Sequence, residues 1–121
     1  ADFHLVLERT MCYGRCPAFF LDINTEGTVG YEPVRFAPDS SKVRPQLNAR
    51  RMKTLVYRLR QADIFQYKEK YDDPMISDLP SVRLECNLDG RIKNIMMRVD
   101  APAALDSLVA EIEMLVFKKK E

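Results

Sequence analysis

Alternation opens the chain. Phe3, Leu5 and Leu7 stand on one side and His4, Val6 and Glu8 on the other, the period-two pattern of a half-buried strand. It returns over 18–24, where Phe19, Leu21 and Ile23 alternate with Phe20, Asp22 and Asn24. Thr25-Glu26-Gly27 supplies a hairpin turn whose glycine can take a positive φ, and 29–32 comes back as a third strand. The period then changes. Met52, Leu55, Val56, Leu59 and Ala62 recur at helical spacing, which predicts an amphipathic helix over 46–62 with Pro45 in its first turn. Val82, Leu84, Cys86 and Leu88 alternate again with Arg83, Glu85 and Asn87; Asp89-Gly90 is a two-residue turn and 92–99 its partner strand. Asp100 is expected to cap a last helix that holds Pro102 in its first turn and Leu105, Leu108, Val109, Ile112, Leu115 and Val116 on one stripe. The order βββαββα predicts an α+β fold: an antiparallel sheet of about five strands with both helices packed on one face.

Residues 63–80 break the pattern and carry Tyr67, Tyr71, Pro74 and Pro80. A loop of that length in a small domain is functional or covers something. If the helices take the Leu5/Leu21/Leu84/Val99 face, the other face presents His4, Val6, Glu8, Phe20, Asp22, Arg83, Glu85, Met96 and Arg98. Val6, Phe20 and Met96 are out of place on a wet surface, so the 63–80 segment is expected to fold over them with Tyr67, Tyr71 and Ile76. Otherwise Phe20 and Met96 mark an interface with a protein partner or a second copy of the chain, and a ligand groove ranks third.

Composition narrows the classes. The 121 residues suit one domain, 1–121, and a 46% hydrophobic share is too high for disorder. No apolar run approaches the roughly 20 residues of a membrane span. Nineteen basic against eighteen acidic residues leave a net charge of +1, with no global field to draw nucleic acid, so nucleic acid is not an expected partner. The chain opens at Ala1 without a leader pattern, as expected if a targeting signal has been removed or none is used. Lys118-Lys119-Lys120-Glu121 reads as a fraying helix end whose cations suit the helix dipole.

The near-neutral total conceals an asymmetry. Lys42, Arg44, Arg50, Arg51, Lys53, Arg58 and Arg60 follow one another with no carboxylate between them. On a helical wheel Arg50, Lys53, Tyr57 and Arg60 lie opposite the apolar stripe, with Arg51 and Arg58 at its edge. A solvated helix face is the plain reading and an anionic-partner docking surface over 44–60 the sharper one.

Candidate chemistry concentrates in Cys12-Tyr13-Gly14-Arg15-Cys16-Pro17. In an extended strand the two cysteine Cα atoms would lie about 13 Å apart, against an upper limit near 7 Å for a bridge, but Gly14 permits a turn that brings them into range. Three readings stand: a small disulfide loop or two thiols packed in a turn; a redox-active or nucleophilic Cys12 or Cys16 with Arg15 lowering a thiolate pKa; and, last, a metal site. Only His4 and Cys86 can add N or S ligands toward the four a structural zinc site takes, and each has a plainer reading, so no metal and no cofactor are expected. Cys86 shares the parity of Val82, Leu84 and Leu88 and reads as a core cysteine. His4, the single histidine, reads as a solvated or hydrogen-bonded sheet residue, and one histidine supports no catalytic triad.

Cys12-Tyr13-Gly14-Arg15-Cys16-Pro17, the Thr25-Glu26-Gly27-Thr28-Val29 hairpin and Ser77-Asp78-Leu79-Pro80 occur in an order that resembles a bacterial domain-of-unknown-function family. Its signature runs C-[FY]-G-x-C-P, then a G-T/R-V-x-Y hairpin, then Y…TD-x-P. Tyr31 and Tyr71 fall at its tyrosine positions, and Ser77 replaces its usual threonine. The similarity spans most of the chain. It implies a small α+β module, often exported behind a signal or lipoprotein peptide, with Cys12 and Cys16 bridged and no catalytic residues assigned. A periplasmic or otherwise exported location follows by analogy, with a cytoplasmic one still open. The expectation is a non-catalytic binding or structural module. The alternatives are a thiol-dependent redox or transfer enzyme using Cys12 or Cys16, and anionic-partner docking through the basic helix.

Overall fold

The structure, a computed structural model, describes residues 2–118; the last residues of the lysine run lie outside the described part. It is a mixed α+β fold of two helices on a six-stranded sheet. In chain order come β1 (His4–Arg9), β2 (Ala18–Ile23), β3 (Val29–Arg35), α1 (Ala49–Gln61), β4 (Lys70–Tyr71), β5 (Val82–Leu88), β6 (Arg91–Met97) and α2 (Ala103–Val116), with short 3-10 turns at Ser40–Lys42 and Ile64–Gln66. The strands lie side by side as β3-β2-β1-β5-β6-β4.

The alternation in the sequence is what places the core. Leu5 and Leu7, Phe19, Leu21 and Ile23, Leu84, Cys86 and Leu88, and Ile95 and Met97 point to one face, where Leu55 and Leu59 of α1 and Leu105, Leu108, Val109, Ile112 and Val116 of α2 join them in one buried cluster. Leu5, Leu7, Leu21, Leu59, Leu84 and Leu105 are fully buried, each adding about 1.5–3 kcal/mol of hydrophobic stabilisation relative to an exposed side chain. Phe19, Tyr31 and Phe117 close one edge with ring centroids 5.4–5.7 Å apart, the spacing at which tilted and edge-on pairs attract.

Turn chemistry sets the register. Asp89 (φ 54°) and Gly90 (φ 76°) make the two-residue turn in the conformation that matches strand twist, and Leu88 faces Arg91 across it. In the β2–β3 turn the Asn24 side chain accepts from Glu26 N and Thr28 N, and Gly27 takes φ 83°.

Four expectations change. The sheet has six strands where about five were expected: Lys70–Tyr71, inside the irregular 63–80 stretch, pairs with Met96 and Met97 as the one parallel ladder among the described strands. Two residues carry no periodicity, so nothing in the sequence marks them. Helix α1 starts at Ala49, not at 46. The Asn48 side chain accepts from Arg51 N at 2.8 Å and caps it, leaving Pro45 in the preceding connection. Asp100 does not cap α2. It takes φ 57°, and Pro102 occupies the cap position, where no side chain bonds to the helix N–H groups. Finally, Tyr67 and Tyr71 do not cover the open sheet face. They pack against the helix-side cluster, and Ile76 stays 40% exposed.

Candidate functional site

Arg9 faces both Phe19 and Val82 across the sheet, and Ala18 faces Arg35. The segments 10–17, 36–39 and 72–81 therefore leave the sheet at the same end. Ten large hydrophobic side chains are exposed among the described residues. Seven of them gather here: Met11, Tyr13, Val34, Phe36, Met75, Ile76 and Leu79. Scattered single apolar residues need no explanation, whereas most of the exposed ones here fall at one end of the sheet.

The cysteines organise this end. Cys12 Sγ and Cys16 Sγ are 2.06 Å apart, with Cα atoms at 5.7 Å, the spacing of a disulfide. The turn between them exposes Tyr13, 85% accessible, and the Gly14 N–H donates to Cys12 Sγ at 3.3 Å. Pro17 is exposed just before β2. Thr10 ties the loop base to the neighbouring segment, its N–H donating to Ser81 O at 3.0 Å and its Oγ1 accepting from Ser81 N at 2.8 Å.

Arg15 packs on an aromatic ring. Its guanidinium carbon lies 5.2 Å from the ring centroid of Phe36, and that of Arg35 lies 4.9 Å from the same ring. Two cations thus share one aromatic side chain. No carboxylate lies within ion-pair distance of either arginine among the described residues. Phe36 adopts φ 51°, a left-handed conformation that costs a bulky residue about 1–2 kcal/mol and persists only where its surroundings hold it. Asp78 is likewise left-handed, at φ 65°, and Ser77 Oγ lies 3.2 Å from its Oδ2.

Met11, Cys12, Tyr13, Arg35, Asp78 and Leu79 line a cleft of about 310 Å³ at this end. Two stretches that are more than sixty residues apart in sequence, and that both entered the family resemblance, meet here. Sequence reasoning missed Arg35 and Phe36. Little in the sequence signals them: the pair lies beyond the 29–32 that alternation marks as strand, and Arg35 is the last residue of β3.

The remaining candidates lie elsewhere. Helix α1 sits toward the opposite end, since Leu47 N donates to Gly27 O at 2.8 Å and Arg60 Nη2 donates to Asp89 Oδ1 at 2.6 Å. Arg50, Lys53, Tyr57 and Arg60 are exposed, but Arg60 is held bidentately by Asp89 and Arg58 by Glu111. Arg60 therefore holds the Asp89 carboxyl below the usual carboxylate range. Phe20 and Met96 are half-buried on the open sheet face, and Val6 is 5% exposed. His4 Nε2 lies 3.2 Å from Asp22 Oδ2 on that face. Cys86 is fully buried, and desolvation pushes its thiol up to about 12, which leaves it unreactive near neutral pH. Among the described residues no group of three His, Cys, Asp or Glu is placed to hold a metal ion, and no helix is long and apolar enough to cross a membrane.

The molecule is thus a mixed α+β domain that carries a cysteine-bridged loop and an apolar, arginine-bearing surface at one end of its sheet. The family model of a domain of unknown function, DUF6438, matches residues 4–116, and the chain belongs to that family. No curated protein and no solved structure matches it.

Proposed function

We propose that this domain is a non-catalytic binding module whose contact surface is the bridged loop end, and that it works in an oxidising, exported compartment. One observation carries the reading: exposed apolar side chains share one end of the sheet with two arginines that have no carboxylate partner among the described residues. Enclosed apolar cores with a few fixed charges are what recognition surfaces use. The Cys12–Cys16 bridge supports the location, because such bridges persist where the surroundings are oxidising.

Site-directed photocrosslinking tests the surface. A benzophenone side chain is placed at Tyr13, at Tyr57 on the basic helix, or at Phe20 on the open sheet face, in cells that produce the protein. The expected outcome is a discrete adduct from position 13 that disappears with Arg35→Glu. Adducts confined to position 57 would move the role to anionic-partner docking through α1. Adducts confined to position 20 would move it to a partner or second copy on the sheet face.

A second reading, thiol-dependent redox or transfer chemistry, is favoured by one contact. The Gly14 N–H aimed at Cys12 Sγ would stabilise a thiolate there once a dithiol donor had reduced the bridge. Rates of iodoacetamide labelling against pH on the reduced protein decide it: the reading requires a thiol pKa well below the reference of about 8.5, and an ordinary value at both positions ends it.

A further inference from the structure

The cleft at the bridged end is bipolar. Arg35 stands on one wall and Asp78 on another, both line the same space, and they form no ion pair with each other. Unlike charges that face a common cavity without meeting leave each with unspent capacity for a charged partner. Both groups are exposed, and each has one local contact that orients it. The Arg35 guanidinium is held against Phe36, and Ser77 Oγ lies 3.2 Å from the Asp78 carboxylate, which sits on a left-handed backbone. Met11, Tyr13 and Leu79 supply an apolar lining between the two charges.

We infer that the cleft takes a short zwitterionic peptide, its carboxylate on Arg35 and its ammonium group on Asp78, with an apolar side chain against Met11, Tyr13 and Leu79. This assignment rests on the proposal that the loop end is the binding surface. A volume of about 310 Å³ is at the lower end of small-ligand sites and suits a dipeptide rather than a folded partner. A dipeptide separates its terminal charges by roughly 7 Å, enough to bridge groups too far apart to pair directly. Arg15, on the same Phe36 ring, adds a second positive charge on the carboxylate side and so fixes the direction of the ligand. A purely anionic ligand would meet Asp78 unfavourably, and a purely cationic one would meet the two arginines.

The test uses leucyl-leucine, its N-acetyl form and its C-terminal amide, titrated into 15N-labelled protein. Free leucyl-leucine is expected to shift the amides of Met11, Cys12, Tyr13 and Leu79, while each capped form binds about tenfold more weakly, the loss of one charge-assisted hydrogen bond. Asp78→Asn should abolish the difference between the free and N-acetyl peptides, and Arg35→Gln the difference between the free and amidated ones. Equal binding of all three peptides to the wild-type protein, or shifts scattered away from the cleft, overturns the inference; so does the absence of any shift up to the solubility limit. Crosslinks from Tyr13 alongside a failed titration would leave the surface standing and remove only this ligand class. No adduct at Tyr13 alongside a successful titration would keep the loop end as a peptide site and remove a macromolecular partner from it.

Discussion

Arg98 Nε donates to Asp72 Oδ1 at 2.6 Å, and the two side chains are only 16% and 17% exposed. The same guanidinium donates to Asp73 O and Ile76 O. One arginine at the end of β6 thereby holds the first half of the irregular 72–80 segment, whose second half forms a wall of the cleft. Replacing it with an apolar side chain of similar reach removes all three bonds. Arg98→Met should raise amide hydrogen exchange across 72–79 and leave β1, β2 and β5 protected, because their ladders do not depend on it. Unchanged exchange in the segment would show that something other than Arg98 holds it.

The same pair has a pH signature. The hydrogen bond from Arg98 holds the Asp72 carboxyl below the ordinary carboxylate value. A depressed folded-state pKa contributes stability that is fully present above the unfolded value and is lost as pH falls through the folded one. The wild-type protein should therefore lose urea resistance on acidification below the usual carboxylate range, and Arg98→Met should lose less. Some acid dependence must remain in the variant, since Arg60 holds Asp89 down in the same way. Identical slopes in the two proteins would mean that the Arg98 pair adds nothing to acid sensitivity.

Bridging Cys12 to Cys16 closes a five-residue loop, so its chain-entropy contribution is small, about 2 kcal/mol at most. Intact protein should weigh two hydrogens less than the reduced form, with Cys86 alkylated only after unfolding. The Cys12→Ser, Cys16→Ser double variant should fold, with a modest fall in stability. Its larger effect should be on binding at the loop end, because Tyr13 and Arg15 ride on the closed turn and the open one must order them on contact. A double variant that binds as the wild type does would separate the bridge from the surface.

Two glycines make contrasting demands. Gly27 takes φ 83°, and a Cβ there would stand 2.7 Å from the backbone oxygen of Leu47, so Gly27→Ala should cost about 1–3 kcal/mol in a denaturant titration. Gly30 has an ordinary backbone, and an added Cβ would run into Asp22 Oδ1, the mobile end of a side chain. Gly30→Ala should barely change stability and should instead push Asp22 away from His4, read in the imidazole proton shifts. Unmoved shifts in Gly30→Ala would show that Asp22 keeps its contact with His4 despite the added methyl group.

Much of this architecture was legible because strands and helices write their burial into the spacing of apolar residues. Leu5, Leu21 and Leu84 share a face in the structure, each with the alternating apolar set of its own strand, and Leu55 and Leu59 lie buried one helical turn apart. Elements too short to show a period were not legible: Lys70–Tyr71 is held by pairing with Met96 and Met97, a long-range relation invisible to a local window. The candidate surface was half legible. Cys12, Tyr13, Arg15 and Asp78 stood out in motifs, whereas Arg35 and Phe36 acquire meaning only from the strand register that brings three loops to one end. The contact of the Arg15 guanidinium with Phe36 was not legible either, because the two residues belong to different loops.

The basic helix makes the last prediction, and the ion pairs determine its form. Of the cations on α1, Arg60 is neutralised by Asp89 and Arg58 by Glu111, while Arg50, Arg51 and Lys53 have no carboxylate within ion-pair distance among the described residues. Any long-range attraction from this helix therefore rests on three charges, two of them exposed, and should be screened within a Debye length, about 10 Å at 0.1 M salt. The variant carrying both Arg50→Glu and Lys53→Glu should keep wild-type stability within about 0.5 kcal/mol, since both side chains are exposed. It should also leave crosslinking from Tyr13 intact, because the loop end is at the other end of the sheet. Retention of wild-type protein on heparin above physiological salt, lost in this variant, would contradict the assignment of recognition to the bridged end and return it to α1.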